Sequence, residues 1–370
     1  MKKIIHLLPL IFLLSDACID RYELPEKISV EQLVVDGMIT SQPGPYTIEL
    51  FVASDLNTNV NSRVPVSQAT VKIVEDTGVE ETLVEVSAGV YQTQPMGIQG
   101  TVGRKYHTVI SIGDKQYVSE PQEMLPAGTI SNIDYQFRTS VINQNDISEP
   151  QDALDVQIDS EGVPGAQNFF RWRWSSVYEV VTYPHLKTIE VGKPPVVMPN
   201  PLPCSGYIPG AYGTIEKKDI CTCCNCWVSE YSSAAMISSN NAVSDHSFNG
   251  VFIARVPVDH WRFNLRFYML IEQFSLTEDA YAFWKLVHAQ QQGEGSLFQP
   301  NSVRVRGNIV RVDDPNEIVL GFFGVSAVAQ KNFVIEPEEA ATQIEIVSDT
   351  VKGSCLGLFH GSSNKKPTFW

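Results

Sequence analysis

Residues 33–52 read LVVDGMITSQPGPYTIELFV, two apolar runs separated by a short polar segment. The second run, 46–52, alternates apolar and polar residues with the period of a β-strand. The segment between the runs contains Pro43, Gly44 and Pro45, residues that favour turns. We therefore expect two strands joined by a turn at the start of the folded region.

Similar short runs follow at 69–74, 86–93 and 106–112, and Gly113-Asp114 is typical of a tight hairpin turn. About seven such runs without helical periodicity predict an immunoglobulin-like β-sandwich over residues 31–124. Pro121, Pro126 and Gly128 interrupt the series of β-patterned runs, so we expect a domain boundary near residue 125.

Residues 125–370 are expected to form a larger β-rich domain with one prominent helix. Within it, residues 169–174 (FFRWRW) alternate, which places the aromatic side chains at 170, 172 and 174 on one strand face. Arg171 and Arg173 lie on the other face. We interpret this segment as a core strand with solvated arginines, although an aromatic platform for a sugar or peptide is an alternative.

The helix is predicted near residues 276–292. The sequence SLTE at 275–278 has the form of a capping box, and Gly293 and Gly295 follow the helical pattern. The apolar residues of this helix form one stripe that we expect in the core: Ala280, Phe283, Trp284 and Val287.

The N-terminus has the pattern of a lipoprotein signal peptide at residues 1–17. Two lysines precede an apolar run of about ten residues, too short to span a bilayer, and Ala17 precedes Cys18. Cys18 is thus the predicted lipidation site, and residues 18–30 are a polar tether. Ordinary secretion with cleavage at another position is the alternative.

Composition restricts the function classes. Hydrophobic residues make up 43% of the chain, enough for a sizeable core. The formal net charge of −15 disfavours nucleic acid as a partner, because phosphate binding depends on clustered Lys and Arg.

Six cysteines remain after Cys18, an even number that suits three structural disulfides in an oxidising compartment. The sequence leaves their pairing open, but Cys355 is expected to tie the C-terminal tail to the cluster, and adjacent Cys223 and Cys224 should have separate partners. A zinc or copper site and redox catalysis are weaker alternatives. The six are Cys204, Cys221, Cys223, Cys224, Cys226 and Cys355.

A Pro- and Gly-rich segment, 193–217, is our first candidate for partner contact, with Tyr207 and Tyr212 as its aromatic residues. A structural cover over a sheet edge is the alternative. The aromatic tail adds Phe369 and Trp370 as further contact candidates.

No catalytic motif is recognisable in the sequence. Nucleophile-elbow, zinc-protease, P-loop and dinucleotide-binding patterns are absent, and the histidines are scattered singly. We therefore expect a protein that is not an enzyme and needs no cofactor or metal.

Several segments together resemble the Bacteroidota lipoproteins of domain-of-unknown-function family 4249. They are LVVDG at 33–37, RWRW at 171–174, CW at 226–227, RFY at 266–268, AYAFW at 280–284, GSLF at 295–298, GNI at 307–309, VLGFF at 319–323 and PTFW at 367–370. The resemblance implies an outer-membrane lipoprotein, often encoded beside a TonB-dependent receptor, with no assigned catalytic residues. Asp20 and Glu23 also resemble the surface-export signal of such lipoproteins.

The leading hypothesis is a surface-exposed, lipid-anchored accessory subunit of a TonB-dependent, nutrient-uptake type β-barrel. The alternatives are a structural subunit of an outer-membrane assembly or secretion complex and, less favoured, a surface hydrolase.

Overall fold

The computed structural model describes residues 32–53, 63–143, 146–240, 246–293, 305–345 and 349–370. The predicted signal peptide, Cys18 and the 18–30 tether lie outside these residues. The prediction of a mostly β protein with one prominent helix is confirmed.

The described chain folds into twenty-five strands and three α-helices. The strands before residue 125 are β1 (Gln32–Thr40), β2 (Thr47–Ala53), β3 (Arg63–Pro65), β4 (Thr70–Glu75), β5 (Glu80–Thr82), β6 (Val84–Ser87), β7 (Val90–Gln92), β8 (Lys105–Ile112), β9 (Lys115–Ser119) and β10 (Gln122–Glu123). Those that follow are β11 (Thr129–Asn143), β12 (Asp146–Glu161), β13 (Phe169–Val181), β14 (Thr188–Val191), β15 (Val196–Pro199), β16 (Tyr207–Pro209), β17 (Ile215–Lys217), β18 (Asn225–Tyr231), β19 (Met236–Ser239), β20 (Ser247–Pro257), β21 (Phe267–Ser275), β22 (Ile309–Arg311), β23 (Leu320–Ser326), β24 (Val328–Ile335) and β25 (Ser362–Ser363). The helices are α1 (Glu278–Gly293), α2 (Pro337–Ala341) and α3 (Cys355–Leu358).

Two sheets form the first unit. Sheet A has the order β23-β1-β2-β7-β6 with β3 beside β2, and sheet B has the order β22-β9-β8-β4-β5 with β10 beside β8. Alternate residues of both sheets point into a shared core, as the period of a strand requires. The most deeply buried include Val35, Ile39, Ile48, Val71, Ile73, Tyr106 and Ile110.

The placement of residues 309–326 differs from the sequence expectation. The predicted boundary near residue 125 assigned these residues to the second domain. The structure gives both sheets of the first unit a strand from this late segment. β1 pairs in parallel with β23 from Val34↔Leu320 onward, and β22 pairs antiparallel with β9 at Ile309↔Ser119. Such pairing joins segments far apart in the chain, so local sequence patterns carry no sign of it.

Gly321 allows β23 to lie against β1. Its φ is +84°, and a Cβ atom there would lie 2.0 Å from the carbonyl oxygen of Val35. No L-residue with a side chain fits that position without moving one of the two strands.

The second unit has sheet C, with the order β11-β12-β20, and sheet D, with the order β24-β21-β13-β18-β25 and β19 beside β13. Their shared core includes Trp172 and Phe170. Gln273 is fully buried, and its Oε1 accepts hydrogen bonds from Trp172 Nε1 at 2.8 Å and Ser160 Oγ at 2.5 Å. Its Nε2 donates to the carbonyl oxygen of Ala127 at 2.6 Å.

The interpretation of residues 169–174 as a core strand fits the aromatic side chains. Phe170 and Trp172 are buried in the core between sheets C and D, and Trp174 packs against it. Of the two arginines on the opposite face, Arg171 is mostly buried rather than solvated as expected, while 37% of the Arg173 side chain is exposed, and both line a cavity.

Helix α1 begins two residues later than a Ser275 capping box would require. The Oγ1 atom of Thr277 accepts the N–H of Ala280 at 3.2 Å, so Thr277 caps the helix. Ser275 ends β21 instead, and its hydroxyl donates to the carbonyl oxygen of Leu125 at 2.5 Å. In the described chain no helix combines the length and apolar character needed to cross a membrane.

Candidate functional site

Residues 182–224, which we call the stapled lobe, connect β13 to β18. The lobe contains the hairpins β14–β15 and β16–β17, which pair with no other sheet in the described chain. The disulfides Cys204–Cys223 and Cys221–Cys224 lie within it. An isolated two-stranded hairpin has marginal stability in water, so these cross-links supply order that the short strands lack.

The third disulfide joins Cys226, at the start of β18, to Cys355 of α3. It ties the C-terminal segment to the cysteine cluster, as the sequence led us to expect. Cys223 and Cys224 have separate partners. With all six sulfurs in disulfides, the cluster offers no thiolate to a metal ion.

The hairpin β14–β15 carries an exposed apolar face. The register pairs Ile189 with Met198 and Val191 with Val196, which places these four side chains on one side of the hairpin. Their exposed fractions are 44%, 42%, 47% and 60%, respectively. Val197, 62% exposed, lies on the opposite side. A projecting hairpin with one apolar side is unusual on a surface that contacts only water.

The aromatic contact candidates of the lobe differ in access. Tyr212 is fully exposed and has a positive φ of 56°. Tyr207 is half-buried, and its ring stacks on that of His185 with 4.9 Å between centroids. Tyr212 is therefore free to contact a partner, whereas Tyr207 helps to hold the lobe together.

The tail candidates do not lie in the stapled lobe. After β25 pairs with β18, the chain continues across sheet D, and the ring of Phe369 packs 4.4 Å from that of Tyr268 in β21. The guanidinium of Arg266 lies 5.8 Å from the ring of Trp370. The structure thus brings Tyr207 and Tyr212 into one lobe and places Phe369 and Trp370 on the sheet.

A cavity of about 280 Å³ lies at the other end of β13, where sheet A, sheet D and α1 meet. Arg171 and Val181 are ten residues apart on this strand, so the cavity and the lobe are separated by roughly 30 Å. Its aromatic walls come from all three elements: Phe51, Phe274, Phe283, Trp284 and Phe322. Three residues of the stripe that the sequence assigned to the core, Ala280, Phe283 and Trp284, also line this cavity. Of these, only Ala280 is fully buried.

Arg171 is the charged group deepest in this cavity. Its guanidinium lies 3.5 Å from the ring centroid of Trp284, a close cation–π contact. Its Nε is buried without a hydrogen-bond partner. Burial lowers the pKa of Arg171 to about 9, with a smaller effect from the like charge of Arg173 and an opposing one from Asp36. Arg171 is thus cationic at neutral pH.

Arg173, two residues further along, has its own partners. Its Nη2 lies 3.4 Å from Oε2 of Glu272, and its guanidinium lies 4.3 Å from the ring centroid of Phe274. Asp36, on β1, is exposed where the lining meets solvent. Among the described residues, no carboxylate lies within ion-pair distance of Arg171.

The sequence identified Arg171 and Arg173 as neighbours on one strand face but missed the site they form. The alternation of residues 169–174 was the available signal. That α1 and sheet A cover this face depends on tertiary packing, which the alternation does not specify. In the described ranges, no group of three or more His, Cys, Asp or Glu side chains is arranged to hold a metal ion.

A protein-family model described as "Domain of unknown function (DUF4249)" matches residues 19–332. The match covers most of the chain and agrees with the family resemblance seen in its sequence motifs. No curated protein matches the chain.

Proposed function

The chain belongs to the DUF4249 family, whose function is unknown, and on this premise we propose that it is a non-catalytic subunit that docks onto a protein partner through the apolar face of β14–β15. The observation that carries the proposal is this face, formed by Ile189, Val191, Val196 and Met198. Burial of half-exposed aliphatic side chains contributes roughly 25 cal/mol per Å² to binding before the costs of association.

The stapled lobe suits docking because it is ordered before binding. Two disulfides close loops within it, which limits the conformational entropy that an interface of flexible loops would lose on association. Ten of the large hydrophobic side chains that are exposed in the described chain lie between residues 183 and 220. Tyr212 extends the same lobe with an exposed aromatic ring.

We propose an outer-membrane β-barrel of the TonB-dependent, nutrient-uptake type as the partner, with the protein held on the cell-surface side by a lipid on Cys18. The support is the signal-peptide pattern before Cys18 and what the family resemblance implies. An anchor of this kind confines both proteins to one membrane surface, which raises their effective concentration and lets a modest interface suffice. A structural role in an outer-membrane assembly or secretion complex would use the same face.

Affinity capture from detergent-solubilised membranes after mild crosslinking tests the proposal. We expect a β-barrel to co-purify with the native protein and its recovery to fall at least tenfold for the double variant Val191→Asp/Val196→Asp. The matched control is Val197→Asp, which adds a charge to the opposite side of the same hairpin and should retain the partner.

Native protein that elutes alone contradicts the proposal, as does equal recovery of the partner with both variants. A recovered assembly or secretion complex would identify the structural role instead of the transport role.

A further inference from the structure

The cavity between sheet A, sheet D and α1 contains a buried charge without a counterion. A guanidinium taken out of water loses hydration that its surroundings must replace. The ring of Trp284 replaces part of it through the cation–π contact. The buried Nε of Arg171 remains without an acceptor, and no carboxylate among the described residues lies within ion-pair distance of its guanidinium.

The neighbouring charges leave Arg171 as the cation open to a ligand. Glu272 already balances Arg173 at 3.4 Å. Asp36 lies at the exposed side of the lining, outside ion-pair distance of Arg171. A ligand with a single negative charge completes this arrangement, whereas a dianion would bring a second charge into an apolar cavity that also contains Asp36.

The residues that line the cavity indicate the size and polarity of the uncharged part of the ligand. Besides the aromatic rings, the cavity is lined by Val34, Met38 and Leu276, so most groups around the cation are apolar. Its volume of about 280 Å³ is near the lower limit of small-molecule sites. The chemistry therefore suits a small molecule with one anionic end and a flat or aliphatic body. The exposed Asp36 marks a route from solvent into the cavity.

We propose that this cavity binds a small monocarboxylate with an aromatic or aliphatic body, its carboxylate paired with Arg171 and its body against the rings of Trp284 and Phe283. A planar guanidinium is the side chain best suited to a carboxylate, because its donors form a fixed fork. Binding is non-covalent. The site is independent of the docking hairpin, since the two lie at opposite ends of β13.

The test uses the full chain with its disulfides intact and three carboxylate probes: 3-phenylpropionate, indole-3-acetate and octanoate. Isothermal titration calorimetry compares each acid with its neutral primary amide, and inorganic phosphate serves as an anion without an apolar body. We expect at least one acid to bind at least tenfold more tightly than its amide, and phosphate to bind more weakly than that acid.

Two substitutions assign the preference to Arg171. In Arg171→Met, which keeps an unbranched apolar side chain without the charge, the ratio between acid and amide should fall to about one. In Arg171→Lys, which keeps the charge without the planar fork, the acid should bind less tightly than to the native protein but still more tightly than the amide. The matched control is Arg255→Gln, which removes an exposed arginine paired with Asp155 on another sheet and should leave the native preference intact.

The proposal is overturned if none of the three acids binds at millimolar concentration or if acid and amide bind the native protein equally. Tighter binding of phosphate, or a preference for the acid that survives in Arg171→Met, also contradicts it. Should Arg171→Met fail to fold, Arg171→Lys decides by itself, since an acid affinity equal to that of the native protein excludes recognition by the guanidinium.

Discussion

The side chain of Asn308 forms hydrogen bonds with both backbone groups of Phe323. Its Oδ1 accepts the N–H of Phe323 at 2.9 Å, and its Nδ2 donates to the carbonyl oxygen at 2.9 Å. Both residues are buried. An amide side chain directly before β22 of sheet B thus takes the place of a neighbouring strand beside β23, the edge strand of sheet A.

Replacement of Asn308 by Ala should lower the free energy of unfolding by about 2–4 kcal/mol, because it leaves a buried N–H and a buried carbonyl without partners. Urea denaturation monitored by circular dichroism measures the change. Asn316→Ala, in an exposed turn, is the control and should change stability by less than about 0.5 kcal/mol. Equal effects of the two substitutions would show that the bonds to Phe323 do not matter.

The three disulfides should differ in their contribution to stability because they close loops of different length. Cys226 and Cys355 are 129 residues apart, whereas Cys221 and Cys224 are three apart. Loop-closure entropy then predicts a loss of about 5 kcal/mol for Cys226→Ala/Cys355→Ala and about 2 kcal/mol for Cys221→Ala/Cys224→Ala. Urea titrations under non-reducing conditions compare the variants, and a larger loss for the short loop would contradict this explanation.

Arg171→Met should leave stability unchanged or raise it by on the order of 1 kcal/mol. The substitution removes a buried charge that no described carboxylate compensates and keeps apolar contact with Trp284. Thermal unfolding by differential scanning fluorimetry measures this in the absence of ligand. A loss of more than about 2 kcal/mol would assign Arg171 a structural role through its stacking on Trp284.

Cys18→Ala should release the protein from the membrane, because the predicted lipid is its only expected anchor. Fractionation of cells into soluble and membrane fractions shows the change, and mass spectrometry of the native N-terminus identifies the modification directly. Cys18→Ser, which also lacks the thiol, should behave identically. An unmodified N-terminus elsewhere in the first 25 residues would contradict the prediction.

The sequence predicted the features that depend on local pattern. An apolar run before a turn identified β1, alternation identified β2 and the buried face of β13, and the glycine after residue 292 marked the end of α1. The start of α1 was misplaced by two residues because Ser275 and Thr277 both fit a cap, and they are distinguished by hydrogen bonds that only the fold shows, from Ala280 to Thr277 and from Ser275 to Leu125. The pairing of β1 with β23 could not be predicted, since it depends on strands almost 300 residues apart.

The cavity, like the pairing of β1 with β23, could not be predicted from local sequence patterns. The sequence predicted Arg171 as a solvated arginine on a strand and Trp284 as a core residue on a helix. Their contact at 3.5 Å depends on how α1 packs across sheets A and D. No local pattern relates these two segments, so the cavity between them is visible only in the fold.

Because β22 and β23 lie near the C-terminal end of the sequence, sheets A and B can be completed only after most of the chain has been synthesised. β9 lacks a strand on one side until β22 (309–311) has been synthesised, and β1 lacks one until β23 (320–326) follows, so nascent chains have two additional open sheet edges while most of the second unit is made. Open edges are templates for intermolecular pairing, and distant contacts slow folding. A chain truncated after residue 125 would therefore be an aggregation-prone intermediate, and folding of the N-terminal unit depends on synthesis reaching residue 326.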